Sequence, residues 1–167
     1  MNDILDILKQ GDLRSVGQNN WLVNQFNCQE DLNELIPYLF YADRTVVMRA
    51  ADLTEKISRQ HSSWLMEHKK DLVRLCEVAK DKELKWHLAQ LVSRLKLNAK
   101  ESEKVWRLLS DWLLDKKESK IVRVNALQAL YDLSSDDADK RKTLLGYIGL
   151  LDKEKIASLS ARIKKLK

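Results

Sequence analysis

The sequence has one proline and four glycines in 167 residues. So few turn-formers, beside many Leu, Lys, Glu and Ala, favour an all-α domain. It has two cysteines, Cys28 and Cys76, too few for a disulfide framework. Cys76 falls on an apolar face and reads as a buried reduced thiol, so a cytoplasmic protein is expected. No run of 18 apolar residues occurs, which excludes a transmembrane helix and leaves no membrane partner to expect. Residues 1–9 are acidic and amphipathic, without the basic region and cleavage site of a secretory signal. Three histidines, His61, His68 and His87, form no ligand set with the cysteines: His61 and His68 have a spacing that suits one helix face, but His61 falls in a loop, and no metal site is expected. No glycine-rich phosphate loop, nucleophile elbow or zinc-ligand motif is present. Asp136, Asp137 and Asp139 cluster in a polar connection and read as a solvated turn with a helix cap rather than an acid/base pair. Neither cofactor, small-molecule substrate nor enzymatic activity is expected.

What is present is a stretch that occurs three times at a spacing of 38 residues. Val46, Ala50, Leu53 and Ile57 recur as Leu84, Leu88, Leu91 and Leu95, then as Val122, Ala126, Ala129 and Leu133. Steps of four, three and four put each set on one stripe of an α-helix. A second apolar stripe (Met48, Ala51; Trp86, Ala89; Val124, Leu127) runs beside it, so each helix must be covered on more than one side. Each copy follows another apolar segment: Leu32, Leu35, Ile36 and Leu39; Leu72, Val73 and Cys76; Val105, Leu108, Leu109, Trp112 and Leu113. The unit is a helix pair that cannot bury its own apolar surface, so pairs must stack. Asp43, Asp81 and Ser119 stand just before the second helix of each pair, where each can accept a hydrogen bond from a first-turn N–H.

The stretches 43–51 (Asp-Arg-Thr-Val-Val-Met-Arg-Ala-Ala) and 119–127 (Ser-Lys-Ile-Val-Arg-Val-Asn-Ala-Leu) resemble the start of the second helix of a HEAT-like repeat. The resemblance runs from about Asp31 to Lys167, and the whole chain is similar to small bacterial HEAT-repeat proteins. It implies a right-handed α-solenoid of three to four helix pairs with an N-terminal helical cap, forming a single domain over residues 1–167. Residues 1–30 form the cap, 31–134 three repeats, and 135–167 a degenerate C-terminal repeat.

Along the chain, Ile4, Leu5, Ile7 and Leu8 predict a short amphipathic helix ended by Gly11. A second helix is predicted over about 14–27, with Val16, Trp21, Leu22, Val23 and Phe26 turned inward. The three pairs are predicted at 31–41 and 45–60, 64–79 and 83–97, and 100–114 and 120–133. Pro37 must start a helical turn or kink its helix. A last pair is predicted over 139–151 and 153–166, with Ile156, Leu159, Ile163 and Leu166 apolar and Lys155, Arg162, Lys164, Lys165 and Lys167 on a basic outer face.

The net charge is +5. Residues 1–60 carry six basic and nine acidic side chains, net −3, and residues 61–167 carry 24 and 16, net +8. This tilt permits an acidic partner without requiring one, since Lys and Glu interleaved on helices make an ordinary solvated surface. In a HEAT-like array the second helices line one broad face, and that face supplies the candidate partner-binding residues. Arg44, Lys82 and Lys120 recur at the helix starts, with Lys85 and Arg123 as a shorter ladder beside first-turn N–H groups able to receive a phosphate or a carboxylate. Arg49, His87, Gln90, Arg94, Asn125 and Gln128 complete the set.

The leading expectation is a non-catalytic scaffold that holds another protein on this face. The alternative is a DNA-backbone binder related to HEAT-like alkylpurine DNA glycosylases. In those enzymes a tryptophan on a repeat helix is followed one turn later by the catalytic aspartate. Here Trp86 is followed by Gln90, which cannot stabilise a developing cation by charge, and Asp52 is the one acid on the equivalent stripe of its helix. Trp86 aligns with Met48 and Val124 and reads as core.

Overall fold

A computed structural model describes residues 4–9 and 22–166. Among them are nine α-helices, two 3-10 segments and no strand. The expectations for Gly11, Val16, Trp21 and Lys167 lie outside the described residues. The chain divides into two compact units, Met1–Lys70 and Asp71–Lys167.

In the first unit, α1 (Ile4–Lys9) buries Ile4 and Leu8, and Leu22 and Phe26 are buried farther on. Helix α2 (Gln29–Leu35) begins where the Asp31 carboxylate turns back to accept from the Asn27 and Cys28 N–H groups, at 2.7 and 3.1 Å. Those donors, the Asn27 N–H foremost, hold the Asp31 carboxyl below its ordinary range. The helix stops at Leu35, and the chain continues as a 3-10 segment, Ile36–Phe40, with Pro37 in its first turn. Proline has no N–H to continue the α-helical ladder but fits the first turn of a new segment. Asp43 caps α3 (Arg44–Gln60), accepting from the Thr45 N–H at 2.7 Å. Val46, Ala50, Leu53 and Ile57 are all buried, as the four-three-four spacing requires. α3 packs against α1, α2 and both 3-10 segments.

A second 3-10 segment, Ser62–Met66, precedes α4 (Lys69–Val78), so the single helix predicted over 64–79 is two pieces. The boundary between the units falls inside α4. The second unit continues with α5 (Lys82–Val92), α6 (Ala99–Leu114), α7 (Lys120–Leu133), α8 (Ala138–Lys153) and α9 (Ala157–Leu166). Helix α6 starts with a reciprocal cap: the Asn98 side chain accepts from the Glu101 N–H, and the Glu101 carboxylate accepts from the Asn98 N–H, both at 2.9 Å. Ser119 caps α7 and Asp137 caps α8, whereas Asp81 holds the cap position of α5 with extended backbone but, contrary to expectation, its side chain makes no capping hydrogen bond.

Helix α7 is the hub of this unit, packed on α5, α6, α8 and α9. Its Val122, Ala126, Leu127, Ala129 and Leu130 are buried, and its small alanines leave room for neighbouring helices to approach. Lys155, between α8 and α9, is the one described non-glycine residue at positive φ, 52°. That left-handed residue directly follows the C-cap Glu154 and turns the chain into α9.

Candidate functional site

The eleven candidates divide into three groups once their surroundings are known. Arg44, Lys82 and Lys120 sit exposed in the first turns of α3, α5 and α7. Lys82 Nζ lies 4.0 Å from Glu83 on its own helix.

The second group is withdrawn from the accessible surface, which corrects the expectation that these residues face a partner. Arg49, His87 and Arg123 are only 3, 2 and 1% exposed. For Arg49 and His87 the reason is helical geometry. Each lies three residues after one core residue and four before the next (Val46 and Leu53; Leu84 and Leu91), on the flank of the buried stripe rather than opposite it. Arg49 Nη1 donates to the Leu8 carbonyl at 2.9 Å, tying α1 to α3. His87 lies against the Trp86 ring, with centroids 3.5 Å apart. Trp86 itself is half-buried.

Arg123 lies on a face shared with Leu127 and Leu130, both buried. Its Nε donates to the Leu113 carbonyl at 2.8 Å, and both Nη atoms donate to the Glu154 carboxylate at 2.9 Å. This bidentate pair is the strong form of a guanidinium–carboxylate contact, and it holds the Glu154 carboxyl below its ordinary range. Lys85, at the equivalent position one repeat earlier, is half-buried and pairs in the same way, its Nζ on the Glu118 carboxylate. It also lies 5.6 Å from the Trp112 ring centroid. The shorter basic ladder is therefore a pair of internal latches, each neutralised by a glutamate from a neighbouring connection.

The third group lines one cleft. Gln90 in the last turn of α5, Arg94 in the turn that follows it, and Asn125 and Gln128 on α7 surround a cavity of about 300 Å³ completed by Ser93, Ala129 and Asp132. The helix predicted over 83–97 ends at Val92. Steps of three and four along α7 place Asn125, Gln128, Ala129 and Asp132 on one face. The wall is already ordered by hydrogen bonds. Gln128 Nε2 donates to Asp132 Oδ1 at 2.8 Å, and Gln128 Oε1 accepts from Arg162 Nη1 of α9 at 2.6 Å. Asn125 Nδ2 donates to the Ile121 carbonyl at 2.8 Å. Arg162, expected on the basic outer face of the last helix, instead turns to this wall. Arg94, Arg162 and Asp132 bring charges of both signs, so the cleft is polar.

Asp52, the one acid equivalent to a glycosylase aspartate, is ion-paired with Lys56 one turn along at 2.9 Å. Among the described residues no group of three His, Cys, Asp or Glu can hold a metal ion, and no helix is long and apolar enough to cross a membrane. Sequence reasoning missed Glu118, Glu154 and Arg162; the shared 38-residue spacing of Lys85 and Arg123 was the signal of a repeated internal contact, but the partner glutamates lie 33 and 31 residues away, in connections. No protein-family model, curated protein or solved structure matches the chain.

Proposed function

We propose that this protein is a non-catalytic binding scaffold, built as a HEAT-like α-solenoid, whose α5–α7 cleft receives an extended segment of another protein. The observation that carries the reading is the lining of that cleft. Gln90, Asn125 and Gln128 present primary amides; each already makes a hydrogen bond within the protein, and each keeps a second amide N–H and a further carbonyl lone pair for a ligand. A peptide backbone offers the same alternation of N–H and C=O, and an extended strand leaves both unsatisfied. The repeat of apolar stripes at 38-residue spacing supports the solenoid architecture.

The pairing of Lys85 with Glu118 and of Arg123 with Glu154 weighs against the DNA-backbone reading. Phosphate binding draws on cations that release counterions, and these two are already neutralised within the protein.

The test is selection of peptides from a random display library on the purified protein, repeated with the Gln90→Leu/Asn125→Leu/Gln128→Leu variant, with helicity checked by circular dichroism. Peptides that bind the wild type and lose about tenfold or more in affinity for the variant support the cleft, since each lost buried hydrogen bond is worth about 0.5–1.5 kcal/mol. Peptides that bind both equally refute it. Labelled duplex DNA, tested in parallel by anisotropy, refutes the protein-binding reading if it binds tightly with a steep salt dependence while no peptide is selected.

A further inference from the structure

A second cleft lies between α6 and α8, with a volume of about 440 Å³. From α6 it is lined by Glu103, Trp106 and Ser110, with Asp111 beside the last, and from α8 by Asp139, Thr143 and Tyr147. The spacing along each helix is three or four residues, so both faces are continuous. Three features single it out.

The first is its charge. Lys140, also at the wall, has its ammonium on Asp137 Oδ2 at 2.8 Å and over the Trp106 ring at 5.9 Å. Glu103, Asp111 and Asp139 have no such partner among the described residues, and Arg107 is the one other cation in the lining. The cleft is thus locally acidic, although residues 61–167 carry a net charge of +8.

The second is Ser110. It is 6% exposed, and its hydroxyl oxygen is covered without any hydrogen-bond partner. A buried hydroxyl without a partner is destabilising until something bonds to it. A serine hydroxyl moves between staggered wells by one χ1 step, so this oxygen can accept from an N–H seated in the cleft.

The third is the apolar surface beside the charges. The half-buried Tyr147 ring and the exposed Leu114 suit an alkyl stem, and the Tyr147 ring face attracts cations; Trp106 is buried beneath, with Lys140 on its face.

We propose that the α6–α8 cleft binds an ammonium or guanidinium group on an alkyl stem, carried either by a Lys or Arg side chain of a partner or by a free polyamine. Such a head group has only donors. The cleft meets it with acceptors: the carboxylates at the mouth and the Ser110 hydroxyl in the wall. The site is separate from the α5–α7 cleft, and neither proposal depends on the other.

Isothermal titration of the full chain with three probes tests it: spermidine, a capped arginine peptide, and the same peptide with neutral citrulline. Glu103→Gln/Asp111→Asn, two exposed acid-to-amide changes, is expected to weaken binding of the cationic probes about tenfold at low salt, the loss of about 1.4 kcal/mol. Ser110→Ala is expected to weaken it about threefold while leaving the melting temperature unchanged or higher, because the variant removes an orphan hydroxyl. Tighter binding of the arginine peptide assigns the site to a partner side chain, and tighter binding of spermidine assigns it to a free amine. The proposal is overturned if neither cationic probe saturates, if the citrulline peptide binds as well as the arginine peptide, or if the double variant keeps wild-type affinity.

Discussion

Replacing Arg123 by methionine, which keeps much of the side-chain volume and removes the charge, tests whether this residue is a latch. The guanidinium is 1% exposed and makes three hydrogen bonds, one to the Leu113 carbonyl and two to Glu154. Its loss strands a buried carbonyl and leaves a carboxylate without its counter-charge. Breaking a buried ion pair from one side costs about 3–5 kcal/mol. Glu154 keeps 17% exposure, so water relieves part of the penalty and about 3 kcal/mol is expected. For a chain of this size that lowers the melting temperature by about 6–12 °C.

Glu154→Gln, which retains a neutral acceptor, is expected to cost less, about 1–2 kcal/mol at pH 7. Because the Glu154 carboxyl is held low in the folded protein, its contribution is present above the ordinary glutamate pKa of about 4.3 and is lost as pH falls through the folded value. The stability gap between wild type and Glu154→Gln should therefore narrow under acid conditions. Urea denaturation followed at 222 nm, at pH 7 and at several acid pH values, reads both quantities. A loss below about 1 kcal/mol for Arg123→Met, or a gap that widens toward low pH, would falsify the latch.

Further expectations follow from local geometry. Gly146 and Gly149 lie in α8, and a Cβ at either position would meet nothing within 4 Å, so Gly146→Ala and Gly149→Ala should each raise stability by about 0.5–1 kcal/mol in urea titration. Lys155→Gly should stabilise by up to about 1 kcal/mol, since the left-handed backbone there suits glycine; a fall in stability would show that the lysine side chain matters more. Asn98→Ala removes one arm of the α6 cap and should cost about 1 kcal/mol. Cys28 is exposed, whereas Cys76 is buried and its thiol is pushed up to about 12 by desolvation. A native thiol titration with a disulfide reagent should therefore count one cysteine, and denaturant should reveal the second; two fast thiols in the native protein would contradict the burial of Cys76.

Periodicity and composition determined the helices themselves. Few glycines and one proline, together with apolar residues at steps of three and four, specify helices in almost any packing, because the pattern depends only on the local 3.6-residue turn. The buried stripes from Val46 to Ile57 and from Leu84 to Leu95, and the caps at Asp43 and Ser119, were legible for that reason. The nearness of Gln90 to Asn125 and Gln128 followed from helical periodicity too, while Arg94 joins them from the turn after α5, where the sequence predicts a helix running to about residue 97. The fate of the charged residues was a tertiary matter. Lys85 and Arg123 have the sequence signature of surface cations, and what buries them is a glutamate about thirty residues away in a connection with no periodicity. The α6–α8 cleft was hidden for the same reason: its two walls come from different helix pairs, and only packing brings Ser110 and Tyr147 to one cavity. A long basic side chain can reach water or a neighbour's carboxylate from the same helical position, so the choice between surface and core is made by the elements that pack beside it.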